Sequence, residues 1–195
     1  KIMSCIAFSD IENSHNIDVN VLTNALDRYQ AMIRNCHIKR FGKQYASEAN
    51  MRACALQAAS FDVHFILNET FDMFGEASRI SSTLQKIDEI FSIDSSDELK
   101  EKIEELQGHT LSSMRSFLQV MEKNKLSFKH KWVKSTLEKS TSGSTISLNA
   151  ISRVYDYLNT HTELEEVTTE FVGYFASGTV LNKGKWIFIC DKKRI

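Results

Sequence analysis

Proline is absent from this chain of 195 residues, and glycine occurs only 7 times. At an average usage of about 5%, roughly ten prolines would be expected. So few chain breakers favour long helices over many tight turns. A dominant charge is also missing: 24 Lys and Arg stand against 25 Asp and Glu, a formal net charge of -1. That balance excludes the bulk electrostatics of a generic nucleic-acid or membrane-surface binder, and leaves such binding to a local patch. No apolar run approaches the roughly 20 residues that span a bilayer.

The motifs of several common chemistries are missing too. Neither GxxxxGK(S/T) nor GxGxxG occurs, so no glycine-rich loop is offered to a phosphate, and there is no GxSxG elbow. The histidines, His15, His37, His64, His109, His130 and His161, are scattered, with no HxH, no HExxH and no Cys/His cluster at zinc spacing. The expectation is a chain without a metal or cofactor and without catalytic residues. Cys5, Cys36, Cys54 and Cys190 form no CxxC pair. Reduced, buried thiols in an intracellular protein, cytoplasmic or nuclear, are expected. A secreted helical-bundle ligand with one or two disulfides is the alternative, to which the Asn68-Glu69-Thr70 sequon would fit. Because the chain opens on Lys1, it is expected to be a piece or processed form of something longer.

What is present reads as helix. With 42% hydrophobic and 25% charged residues the chain can build a sizeable core and is not broadly disordered. Asp18 is a good N-cap for an amphipathic helix to about Gly42, with Leu22, Ala25, Leu26, Tyr29, Met32, Ile33 and Cys36 on one face. From Ser47 to Leu67 apolar residues cover more than half of a helical wheel, which predicts a central, buried helix. Asp62 falls inside that apolar arc. A buried carboxylate there needs a partner, and it is a candidate functional group.

Further helices are expected over Ile80–Phe91, Ser95–Leu106 and Leu111–Met121, with a less regular, possible helix from Leu126 to Lys139. Residues 140–145, Ser-Thr-Ser-Gly-Ser-Thr, read as a loop between a helical bundle domain at 1–139 and a second subdomain at 147–195, with packing of the two as one domain the alternative. That second part reads as a helix over Leu148–Leu158, a helix from Thr162 through Phe175, and a hairpin of Thr179–Leu181 with Trp186–Cys190. The segment Ile2–Phe8 is a third strand or a helix end.

Two surface constellations stand out. The element order of the last part is that of a winged helix-turn-helix, whose second helix would present Glu163, Glu166 and Glu170 beside Tyr174. Phosphates repel such a stripe, so it points to a protein partner. The segment from Lys123 to Lys139 holds six lysines, among them Lys125, Lys129, Lys131 and Lys134, with Phe128 and Trp132 interleaved. Basic residues with aromatics bind single strands by stacking and phosphate contact, and Lys183 and Lys185 in the wing would add to this. The competing account has Phe128 and Trp132 anchoring the segment to the core. An acidic counterpart, Asp88 to Glu105, carries eight carboxylates against two lysines and could pair with it.

The expected object is therefore a mainly α-helical bundle of six to eight helices with a small C-terminal β-hairpin. Its expected function is non-catalytic protein–protein binding, as an adaptor, assembly subunit or inhibitor, through Glu163, Glu166, Glu170 and Tyr174. The alternative is a nucleic-acid-binding regulator that uses Lys125, Lys129, Lys131, Trp132, Lys134, Lys183 and Lys185.

Overall fold

The computed structural model describes residues 2–10, 17–57, 61–68, 78–106, 108–133, 141–161, 173–178, 186–190 and 193–194. The chain divides into two compact units, Lys1–Thr162 and Glu163–Ile195.

In the first unit the order is β1 (Ile2–Ser9), α1 (Val19–Phe41), a 3-10 helix (Lys43–Ala49), β2 (Met51–Gln57) and β3 (Phe61–Leu67). There follow α2 (Arg79–Ser92), α3 (Ser96–Glu104), α4 (His109–Lys123), β4 (Ser127–Val133), β5 (Thr141–Ile146) and α5 (Leu148–His161). The strands form one five-stranded sheet in the order β2-β3-β1-β4-β5, every neighbouring pair antiparallel. The N-terminal strand is thus its centre. This overturns the mainly helical bundle with a small C-terminal hairpin: a substantial sheet lies in the first unit, with helices beside it.

The central helix expected over Ser47–Leu67 is the largest correction. Those residues make the 3-10 helix and the paired strands β2 and β3. The physical reason is visible in Phe61–Leu67, where the period is two: Val63, Phe65 and Leu67 are buried while Asp62, His64 and Ile66 are half-buried on the other face. Apolar residues on all sides of a helical wheel are also what strand alternation produces when both faces carry some carbon. Likewise Leu126–Lys139 is not helical where it is described. Its strand β4 alternates between buried Phe128, His130 and Trp132 and exposed Lys129 and Lys131. The expected loop at 140–145 contributes the edge strand β5.

The helices follow expectation more closely. Asp18 caps α1 by accepting from the backbone N–H of Asn20 at 2.8 Å and of Val21 at 3.3 Å, and Gly42, with φ 97°, ends it. Lys39 and Arg40 sit in its last turn, where they complement the helix dipole. Ala25, Tyr29, Met32, Ile33 and Cys36 of α1 join Leu84, Ile87 and Ile90 of α2, Phe117 and Leu118 of α4, and Ile151 and Val154 of α5. The same core takes Ile6 and Phe8 of β1, Val63, Phe65 and Leu67 of β3, and Phe128 and Trp132 of β4. The helices therefore cover one face of the sheet. An edge-to-face group ties the two layers: Phe128 lies 5.2 Å from Phe117 and 5.5 Å from Phe91, ring centre to ring centre.

The second unit contains a three-stranded antiparallel sheet, β6 (Gly173–Gly178), β7 (Trp186–Cys190) and β8 (Lys193–Arg194). Trp186–Cys190 is the strand expected, but its partners are Gly173–Gly178 and Lys193–Arg194. Tyr174 and Phe175, read as the end of a helix, lie in that first strand. Residues 162–172, where most of the second helix was expected, lie outside the described residues. Among the described residues no helix is long and apolar enough to cross a membrane.

Candidate functional site

The antiparallel register arranges the uncovered face of the sheet in rows. In one row Arg52, Ile66 and Met3 stand side by side; in the next, Ala55, His64, Cys5 and Lys131. A third holds Gln57, Asp62, Ala7 and Lys129. Arg52, Lys129 and Lys131 are exposed, and Met3 is 52% exposed.

Cys5, Asp62 and His64 meet in the middle of this face. One donor atom from each lies within 4.8 Å of the other two, and the Cys5 Sγ stands 4.0 Å from the His64 Nε2. All three are half-buried. Burial pushes the Cys5 thiol above its ordinary range and the charge of Asp62 pushes the same way, against a smaller pull from Lys131 and Lys129. No spacing rule joins residue 5 to residues 62 and 64. The one signal available in sequence was Asp-x-His inside an alternating run, because i and i+2 share a face of a strand. The helical period marks Asp62 too, but without His64 beside it.

Two polar clusters are buried in the first unit. His130, with no exposed surface, places Nε2 2.7 Å from the Asp88 Oδ1, and the Ser144 hydroxyl donates to the same carboxylate oxygen. The Tyr29 hydroxyl lies 3.4 Å from the other ring nitrogen. Burial above all holds the Tyr29 phenol in its protonated form. For Asp88, burial raises the carboxyl, but the hydrogen bonds from His130 and Ser144 outweigh it and leave the group below its ordinary range. The second cluster surrounds Glu48, which is 5% exposed. Arg79 grips its carboxylate with Nε at 3.1 Å and Nη2 at 2.5 Å, while the guanidinium lies 4.0 Å over the Tyr45 ring. His37 sits 3.3 Å from Glu48 and 2.9 Å from the Thr83 hydroxyl. These groups serve one another inside the core.

Two open grooves carry opposite charge. One, of about 630 Å³ beside α2 and α3, presents Glu89, Asp94, Glu98 and Glu101. The other, of about 690 Å³ between α1 and the start of α4, presents Arg34, Lys39, Lys43 and His109. The acidic segment Asp88–Glu105 meets the basic one at Asp88 and His130. Elsewhere Lys86 and Lys102 hold Glu105, and Arg153 holds Asp94 at 2.6 Å.

Of the residues expected at a nucleic-acid site, Lys129 and Lys131 share the open sheet face, and Lys125 is exposed at the turn after α4 with φ 51°. Trp132 lies on the opposite side of the strand, 2% exposed, donating Nε1–H to the Ser81 hydroxyl at 3.0 Å. Lys134, Lys183 and Lys185 lie outside the described residues, as do Glu163, Glu166 and Glu170. Tyr174 is placed on β6, paired in register with Ile189.

Cys36 is buried and its thiol is pushed up to about 11 by burial, whereas Cys54 is exposed. Cys5, Cys36 and Cys54 are free thiols. No protein-family model, no curated protein and no solved structure matches this chain.

Proposed function

We propose that the chain is a non-catalytic interaction module whose open sheet face receives an acidic protein surface. The observation that carries this reading is the half-exposed Met3 beside Ile66, rimmed by exposed Arg52, Lys129 and Lys131. An apolar spot with a basic rim suits a partner that brings carboxylates around an aliphatic or aromatic side chain. A single-stranded nucleic acid fits less well: Phe128 and Trp132 are spent on the core, so the lysines stand without a stacking platform. Glu163, Glu166 and Glu170, which lie outside the described residues, remain a separate proposed contact for a basic protein surface.

The test is site-specific crosslinking. A photoreactive residue in place of Met3 is irradiated in native host lysate, with and without nuclease, and compared with the same residue in place of Glu101 on α3. A protein adduct specific to position 3, resistant to nuclease and lost in Lys129→Glu/Lys131→Glu, is the expected result. An adduct that disappears with nuclease would move the reading to nucleic acid. An adduct unchanged by the charge reversal would overturn it.

A further inference from the structure

We propose that Cys5, Asp62 and His64 form a binding site for a divalent transition metal, and that the metal is zinc. The inference stands apart from the docking reading, because it concerns the isolated chain. Cys5 and His64 are direct partners in the register of β1 and β3, and Asp62 is two residues from His64 on the same face. In the register Ala7 stands between Asp62 and Lys129 of β4, a small side chain beside the cluster. Side chains on paired strands are held more firmly than side chains on loops, which is what a pre-formed site requires.

The donor set decides the ligand. One sulfur, one imidazole nitrogen and one carboxylate oxygen form the mixed set that zinc accepts, and it suits magnesium or calcium poorly, since these take oxygen alone. Around tetrahedral zinc the donors stand about 3.3 to 3.6 Å apart. The 4.0 Å between Cys5 and His64 closes to that range with a small rotation of either side chain. A thiolate and a carboxylate bring two negative charges to a dication, and Lys131 and Lys129 stand at the rim. The described residues supply three ligands, which leaves a tetrahedral position for water or an outside donor.

The rival chemistry for the same three residues is a thiol nucleophile activated by an imidazole. It needs hydrogen-bond donors for a developing oxyanion. Cys5 lies on a strand paired on both sides, by β3 and by β4, so the backbone N–H groups around it are engaged in the ladders. The location provides ligands without an oxyanion hole, and so favours a metal.

Purified chain, stripped with a chelator, is titrated with Zn²⁺ alone against a chromophoric competitor, and with Co²⁺ as a spectroscopic probe. The expected results are one zinc per chain and a thiolate-to-cobalt charge-transfer band. Cys5→Ser removes the band, while His64→Gln and Asp62→Asn each weaken zinc by more than about tenfold, the smallest loss typical even of an outer ligand partner. Cys54→Ser, which alters the nearby exposed thiol that contacts the His64 carbonyl, leaves both readouts unchanged. Zinc well below one per chain, or wild-type cobalt protein without the band, overturns the proposal, and so does a band lost in Cys54→Ser but kept in Cys5→Ser. The wild-type spectrum decides the matter should a variant fail to fold.

Discussion

His130 and Asp88 face each other across the seam between β4 and α2, Nε2 to Oδ1 at 2.7 Å. The imidazole has no exposed surface and the carboxylate side chain is 23% exposed, so the pair sits where sheet and helix close on each other. Asp88→Ala leaves a fully buried ring N–H without its acceptor. The expected loss is about 2 kcal/mol, the usual penalty for a stranded buried donor. The carboxyl is held below its ordinary value of 3.8, so the folded state resists its protonation. Its stabilisation is complete above that value and is lost as pH falls through the lower, folded one. Urea unfolding at pH 6, 4 and 3 should show the gap between wild type and Asp88→Ala shrinking only below about pH 4. A gap that is constant to pH 3 would remove the pair from the account of stability.

The seam was half legible. α1 was readable because its cap, its apolar stripe and its terminal glycine agree: Asp18, the Ala25–Cys36 face and Gly42 each give the same answer. The strands failed because of tertiary position. Phe61–Leu67 and Ser127–Val133 alternate cleanly, but Ala53 and Ala55 in β2 carry little strand preference, and an apolar-rich window fits both periods. On a helix Asp62 is an anomaly inside an apolar arc. On a strand it lies on the open face beside His64, and its relation to Cys5 comes from the pairing of Cys5 with His64, 59 residues apart in sequence. Local patterning does not contain such a pairing.

Glu48 depends on Arg79 more than on any general property of its burial. The two-nitrogen grip and the Tyr45 ring beneath the guanidinium are both specific to arginine. Arg79→Leu is expected to cost about 3 kcal/mol, the low end for breaking a buried ion pair, because Arg79 is itself partly exposed and His37 still faces Glu48. Arg79→Lys should recover less than half of that loss, since an ammonium cannot make the paired contact. Thermal or urea midpoints of both variants test this directly, and full recovery by lysine would show that charge alone matters.

His37 gives the same cluster a pH response of its own. Burial lowers its pKa below 6.5, and the nearby Glu48 raises it without prevailing. The unfolded chain therefore binds the proton more readily than the folded one. Its contribution is complete above pH 6.5 and is lost as pH falls from there towards the folded value. Wild-type stability should decline over this range before the Asp88 carboxyl begins to titrate. His37→Gln should flatten that first decline and leave the one below about pH 4 in place. An undiminished decline in His37→Gln would assign it to another group.

Gly143 is the point at which β5 passes closest to β4. Its φ is 135°, and a Cβ there would stand 2.0 Å from the His130 carbonyl oxygen, a backbone atom that cannot move aside cheaply. Gly143→Ala should detach the edge strand locally and loosen Ser144, which donates to Asp88. The substitution and Ser144→Ala act on one contact, so their effects should be less than additive in a double-mutant cycle. Additive losses would mean that β5 and the Asp88 cluster respond independently.

Strand β4 permits the sharpest separation of the two faces, because adjacent residues on it have opposite surroundings. Phe128 is 1% exposed among Phe91, Phe117 and Tyr29, and its truncation to alanine should cost about 3 to 5 kcal/mol. Lys129→Ala, one residue on, removes a side chain that points to solvent, and no measurable change in the unfolding midpoint is expected. Trp132→Phe should fall between them, losing the hydrogen bond to Ser81 while keeping most of the ring. On a helix the effects would follow a period near 3.6, placing His130 about 200° from Phe128, on the opposite side. On a strand they alternate strictly, so an alanine scan from Phe128 to Trp132 that failed to alternate would remove the sheet face on which both the docking surface and the metal site depend.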